Sequence, residues 1–390
     1  MRHLALLVLY VGLAHAGPKD VYVDEVHPRA TDTPLEITFA PWYCALCVTE
    51  GRIQAEPREI DMLRIPVAEL AKTLELEPGW IVIETPHFKI LSEIEGTRCK
   101  LTDSVFLRAD LERLRTIFPK LIIKKPPHWV KLTPHQRAHL YHIRVERVYS
   151  HFAALTDNRK PHLGMHAPYE LFLFDGYAPH HVLSDKYIGH ANDQAGVQHH
   201  SREEPNFMAF TTCERQVAKD DKKADKAFSN HVIHNVAHNL IDGHGNYYRE
   251  TWAWLEEGIG HYYERRDNPQ QNTFCCTEGK APRDFLKPDW EYTIYQIVRR
   301  GKDVPFNNWC EKLQPAELHG VEHGLCWSIV KWMIETEPLR FTAMVRKLDD
   351  TKEKPNATAC IRHAFGVSPG VLHRRWREYV LENYRRHKAK

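Results

Sequence analysis

"HVIHNVAHNL", residues 231–240, places His234 and His238 four residues apart, with Asn235 directly after the first. On a helix, residues four apart share one face, about 5–6 Å from each other. Two imidazoles so placed can aim ring nitrogens at one zinc ion about 2.0–2.1 Å away. His231 lies three residues earlier on nearly the same face, where it either extends the pair or flanks it. Gly243 follows the apolar-periodic stretch and is a natural stop for the helix. The chain carries 26 histidines, so a spaced pair says little until its surroundings are read.

The next segment supplies those surroundings. In "ETWAWLEEGIGHYYERR" (250–266), Trp252, Leu255, Ile259, Tyr262 and Tyr263 can make an apolar stripe on a second helix. Glu257 stands just before Gly258, and Gly260 follows two residues later. A glycine inside a helix costs roughly 1 kcal/mol relative to alanine, so two of them mark a place where something approaches the backbone closely. Eighteen residues lie between His238 and Glu257, enough for a turn and an antiparallel return. Two neutral histidines and one carboxylate would leave one position of a tetrahedral zinc open, which is the catalytic pattern.

Together, "HNVAH" and "WLEEGIGHYYE" resemble the H-E-x-x-H … W-L-x-E-G-x-A-x-Y-x-E signature of the peptidase-MA-like gluzincins, a zincin family, and in particular secreted bacterial proteins carrying such a domain. The resemblance implies that His234, His238 and Glu257 bind Zn2+. Gly260 takes the place of the family's small alanine, Tyr262 matches its tyrosine and Glu264 its final acid. Weaker likenesses in "WIVIETPHFKILS", "YELFLFDG", "CWSIVKWM" and "AFGVSPGVLHRRWREYVLENY" carry it from about residue 80 to the end. The implied fold is α+β and zincin-like: a small mixed sheet, then a mainly helical C-terminal half that carries the metal helix. A peptide or protein is the implied ligand.

The departure from the family falls on its general base. Asn235 occupies the position of the glutamate that takes a proton from the attacking water. An amide can hydrogen-bond water but cannot accept its proton at neutral pH, and losing a general base typically removes ~10²–10⁴-fold of rate. Three readings follow. The chain is a metallopeptidase-like zinc protein with weak or no activity, an active metal-dependent hydrolase with a relocated base, or a peptide- or protein-binding module on a zincin scaffold. Asp242, one turn past His238, and Glu264 are candidates to orient the imidazoles. His261 and Tyr262, with His244 and Tyr248, are candidates to steady an oxyanion or meet a substrate. Glu256 is expected to point away from the metal face.

Outward from this core, "WIVIETPHFKILSE" (80–93) reads as one or two strands around a Thr-Pro break, and "PYELFLFDG" (168–176) and "FMAFTTC" (207–213) as further strands. "TDSVFLRADLERLRTIF" (102–118) and "TPHQRAHLYHIRVERVYSHFAAL" (133–155) read as helices, the second with Thr133 as N-cap and Pro134 at its first position. "APHHVLSDKYIG" (178–189) reads as a short helix and "NDQAGVQHHSREEPN" (192–206) as a polar loop. His135, His139 and His142 share a helix face, read as surface or packing. "KDDKKADK" (219–226) reads as a solvated loop or helix start. Residues 76–215 then form the α/β part and 216–390 the helical metal-binding part, behind an irregular extension over 17–75.

The first residues, "MRHLALLVLYVGLAHAG", have a basic start, a short apolar run and small residues before Gly17. They read as a cleaved signal peptide over 1–16, so a secreted or periplasmic protein is expected. A net charge of +2, with 43% apolar and 27% charged residues, describes an ordinary globular chain without a strong pull toward nucleic acid or membrane. Of the nine cysteines, Cys44 and Cys47 read as a structural disulfide or buried thiols, ahead of a metal role shared with Cys275 and Cys276. Disulfide pairing and oligomeric state are not legible.

Overall fold

Short apolar runs, buried on both faces, decide the sheet. The computed structural model describes residues 39–124, 129–188, 194–203, 205–217, 224–244, 251–274, 285, 287–350 and 356–385. Its first part runs β1 (Tyr43–Cys44), α1 (Ala45–Thr49), β2 (Asp61–Met62), β3 (Ile65–Pro66), α2 (Val67–Thr73), β4 (Ile81–Glu84), β5 (Phe88–Ser92), β6 (Thr97–Lys100) and α3 (Leu107–Ile117). It continues through β7 (Trp129–Leu132), α4 (Pro134–Thr156), β8 (Tyr169–Phe174), α5 (Tyr177–Leu183), β9 (Gly196–Ser201), β10 (Phe207–Cys213) and α6 (Glu214–Val217). The remainder is helical: α7 (Ala224–Gly243), α8 (Ala253–Asp267), α9 (Trp290–Arg299), α10 (Gly320–Thr336), α11 (Pro338–Asp350), α12 (Ala357–Phe365) and α13 (Pro369–Asn383). The protein is therefore mixed α+β, a small sheet followed by a helical C-terminal half. Among the described residues no helix is long and apolar enough to cross a membrane. The expected signal peptide at residues 1–16 lies outside the described residues.

The main sheet has the order β1-β4-β5-β8-β10-β9. β5, β8 and β10 run parallel, while β1, β4 and β9 are antiparallel to their neighbours. Successive side chains go to opposite faces. Ile83, Ile90, Leu171, Leu173 and Phe210 enter the large core shared with the helical half. Val82, Leu91, Phe172, Phe174 and Ala209 enter a smaller core with Val67 and Leu70 of α2 and Leu183 of α5. Both faces are covered, so the central strands read as almost unbroken apolar runs. Each fully buried Leu or Phe contributes about 1.5–3 kcal/mol.

The 192–206 segment is not wholly loop. Gly196–Ser201 forms β9, paired from Thr212↔Gly196 to Phe207↔Ser201. It is an edge strand with polar side chains, so the alternation that betrays buried strands is missing.

α7 is held by buried charge. Arg137 of α4 donates to Glu214 at 2.7 Å and to Asp225 at 3.2 Å, and the Tyr141 hydroxyl donates to Asp225 at 3.2 Å. Asp225 lies in the first turn of α7 and is buried, so this part of the 219–226 charge run is not solvated. An acid there also suits the positive end of the helix dipole. α4 starts as expected, with Thr133 and Gln136 closing a reciprocal capping box before Pro134. Asn356 serves as the side-chain cap of α12.

Candidate metal centre

Helical pitch puts His234 and His238 on one face of α7, with ring centroids 4.4 Å apart. α8 lays Glu257 across them. Glu257 Oε2 is 3.7 Å from His234 Nε2 and 3.8 Å from His238 Nε2. Two ligands of a tetrahedral zinc would stand roughly 3.3–3.4 Å apart, so the trio is close to a coordinating arrangement. All three side chains are buried, and neither imidazole Nε2 has a hydrogen-bond partner. An unmet buried polar atom is costly, and two aimed at one carboxylate fit a cation. The donor set, two imidazoles and a carboxylate, is one that zinc accepts.

The glycines behave as their cost implied. A Cβ on Gly260 would lie 2.5 Å from His238 Nε2 and 2.9 Å from His234 Cε1. One on Gly258 would lie 2.4 Å from Val330 Cγ2 and 2.8 Å from the Cys326 carbonyl oxygen of α10. Gly260 thus lets α8 meet the imidazoles, and Gly258 lets α10 support α8 from behind.

Carboxylates back the rings. Glu264 Oε2 is 3.6 Å from His234 Nδ1 and takes the Thr273 amide at 2.9 Å, while Oε1 accepts from His261 Nδ1–H at 2.8 Å. Burial opposes ionisation of Glu264, but the neighbouring His234 ring and the hydrogen bond from His261 prevail and hold it down to about 2. His238 Nδ1 is met by Glu256 at 3.3 Å. The expectation that Glu256 points away is therefore overturned: the turn of α8 that delivers Glu257 also swings its neighbour behind the second ring. For Asp242, burial followed by repulsion from Glu256 raises the carboxyl well above the usual range. Burial drives His234 down to about 3. It also disfavours the His238 cation, but attraction to Glu257 and Glu256 outweighs it and raises that group.

A cavity of about 560 Å³ opens beside the trio, lined among the described residues by Gln198 of β9, by His231, Asn235 and His238 of α7, and by Glu256 and Glu257. Asn235 faces it, while its Nδ2 donates to the His231 carbonyl at 2.8 Å. His261 and Tyr262 do not line this cavity. His261 is buried against Trp290 and Phe274, with centroids 5.0 and 5.5 Å away, and Tyr262 packs near His151. Both side chains are buried. His244 packs against Phe152, and Tyr248 lies outside the described residues.

The sequence reading missed three histidines. His323 of α10 lies close enough to Glu257 and His261 for the three to share an ion, and no local spacing announces it. His135 and His139, read as a surface or packing face, are turned onto Cys44 and Cys47 in a second cluster that could hold a metal. Cys44 and Cys47 are buried thiols without a disulfide. Cys275 and Cys276 lie outside the described residues. Buried His/Glu and Cys/His groups able to hold an ion are thus present at two places. No family model, curated protein or solved structure matches this chain.

Proposed function

We propose that this is a zincin-like, metallopeptidase-related protein that binds zinc through His234, His238 and Glu257 and has weak or no peptidase activity. The observation that carries the reading is the convergence of two buried imidazole nitrogens and a carboxylate at the wall of a cavity. When bound, zinc supplies Lewis acidity to an oxygen group at its open position. The chain's own residues do the rest. Glu264 and Glu256 fix the rings from behind so that each Nε2 faces inward. Asn235 can orient a water but cannot take its proton.

The ligand in this reading is an extended peptide. β9 is the edge of the sheet, and Gly196, Val197 and Gln198 line the cavity. An edge strand offers unpaired backbone groups to a further strand, and alternate side chains then find their own subsites.

A second reading, an active hydrolase, draws on His231. It lines the cavity, its Nε2 has no hydrogen-bond partner, and burial drives it down to about 4, so its ring is neutral at pH 7.

Metal content of the full chain purified without chelators, beside His238→Ala, tests the site: loss of about one zinc equivalent supports it, and unchanged content sinks it. Asn235→Glu separates the two readings. A gain of peptidase activity of about 10²–10⁴-fold favours the first. Loss of an existing activity, matched by its loss in His231→Gln, favours the second.

A further inference from the structure

Cys44 ends β1 and Cys47 lies in the first turn of α1, three residues on. β1 is pinned to the main sheet through Tyr43↔Glu84 and Cys44↔Ile83. Across from them, the first two turns of α4 present His135 and His139. Cys44 Sγ is 3.4 Å from His135 Nε2, and Cys47 Sγ is 3.3 Å from His135 Nε2 and 3.2 Å from His139 Nε2. Every donor atom of the four lies within 4.8 Å of every other. For zinc–sulfur and zinc–nitrogen bonds of about 2.3 and 2.0–2.1 Å at a tetrahedral angle, sulfur and nitrogen stand roughly 3.5 Å apart. The four side chains already stand near that spacing.

The hydrogen bonds behind the cluster set the tautomer it requires. His142 Nε2 is 2.8 Å from the Phe39 carbonyl oxygen. A carbonyl only accepts, so this nitrogen carries the proton. With that proton on Nε2, the neutral ring leaves Nδ1 as an acceptor. His139 Nδ1 lies 3.1 Å from that acceptor and must donate to it. The lone pair of His139 is then on Nε2, aimed at Cys47. A carbonyl–imidazole chain behind a ring is the support a metal-bound histidine ordinarily has.

The surroundings are closed. Both cysteines have no exposed surface and His139 has none. Phe118 packs edge-on against His135 at 5.0 Å and His139 at 5.3 Å. A Cys-x-x-Cys pair at a helix start is also the pattern of a redox dithiol, but thiol exchange needs an accessible sulfur, and here both are covered.

We propose that Cys44, Cys47, His135 and His139 form a closed, four-ligand structural zinc site, separate from the cavity-facing trio. Two thiolates and two imidazoles are a soft tetrahedral set suited to zinc, and with no position open the ion would be structural. It would fasten the 39–50 segment to α4, across a sequence separation of 91 residues from Cys44 to His135.

The test is cobalt reconstitution of the metal-free full chain, because a thiolate-to-cobalt charge-transfer band reports sulfur ligands and the His234–His238–Glu257 set has none. The wild type should take up cobalt with that band. Cys47→Ser should lose the band and about one equivalent of metal, while His238→Ala should keep the band. This distinguishes failure of either site from failure of the other. Should Cys47→Ser not fold, zinc-edge X-ray absorption of the wild type decides: a sulfur shell at about 2.3 Å supports the site. No charge-transfer band and no sulfur shell overturn it, as does a Cys44–Cys47 disulfide in protein purified under reducing conditions.

Discussion

The trio at His234, His238 and Glu257 and the quartet at Cys44, Cys47, His135 and His139 both contain a His-x-x-x-His pair on one helix face. They differ in what completes the pair. At the trio one carboxylate arrives from the next helix, and a cavity adjoins the remaining side. At the quartet two thiols arrive from a short strand and helix far earlier in the chain, and Phe118 packs against both imidazoles. An open position suits chemistry or ligand binding, and a filled one suits structure. The same helical spacing therefore serves two ends, decided by the number of protein donors and by access.

If the quartet is a structural cross-link, breaking it should cost the most. Cys47→Ser should lower unfolding free energy by about 2–5 kcal/mol, the range for losing a native covalent cross-link. His238→Ala should cost clearly less, because the trio closes a shorter span. Denaturant unfolding of the two zinc-loaded variants measures the difference, and equal losses would erase the structural contrast.

Acid probes the histidines just outside each set. His231, beside the trio, is pushed down to about 4 and His142, behind the quartet, to about 3, both by burial first. A folded-state value below the unfolded one gives stability that is present above about pH 6.5 and lost as pH falls toward the folded value. Between pH 6.5 and 4 the wild type should therefore lose about 3 kcal/mol more than His231→Gln, and a similar amount more than His142→Gln. Metal-free unfolding curves across that range check both, and a parallel pH dependence in variant and wild type contradicts them.

Smaller effects separate the supports of the trio. Glu264→Gln removes the acceptor of the His261 bond and the acid behind His234. It should weaken zinc binding at the trio about 10–100-fold and leave the cobalt–thiolate band unchanged. Glu256 is partly exposed, so Glu256→Gln should weaken the same site by no more than about 10-fold. Competition with a metal indicator ranks them, and the reverse ranking would make Glu256 the principal support.

Local features carried well from sequence to structure. The helix at 133–155, its Thr133 cap, the strands around Thr85-Pro86 and the core strands at 168–176 and 207–213 rest on periodicity and capping chemistry, which act over a few residues. β9 failed that reading because an edge strand lining a cavity needs no apolar alternation. The position of Glu256 failed it because the rotation of α8 about its axis is fixed by packing, through Gly258 against α10 and Gly260 against the imidazoles.

What the sequence determined by itself was the pairing of donors four residues apart, since helical pitch alone puts His234 beside His238 and His135 beside His139. It also determined that Asn235 presents an amide to the cavity-facing helix. Only the tertiary structure decided which distant groups complete each pair. Cys44 reaches His135 because β1 pairs with β4 while α4 packs over that sheet, and His323 nears Glu257 because two glycines let α10, α8 and α7 approach closely. Such meetings depend on packing summed over the whole core, and no short stretch of sequence encodes that sum.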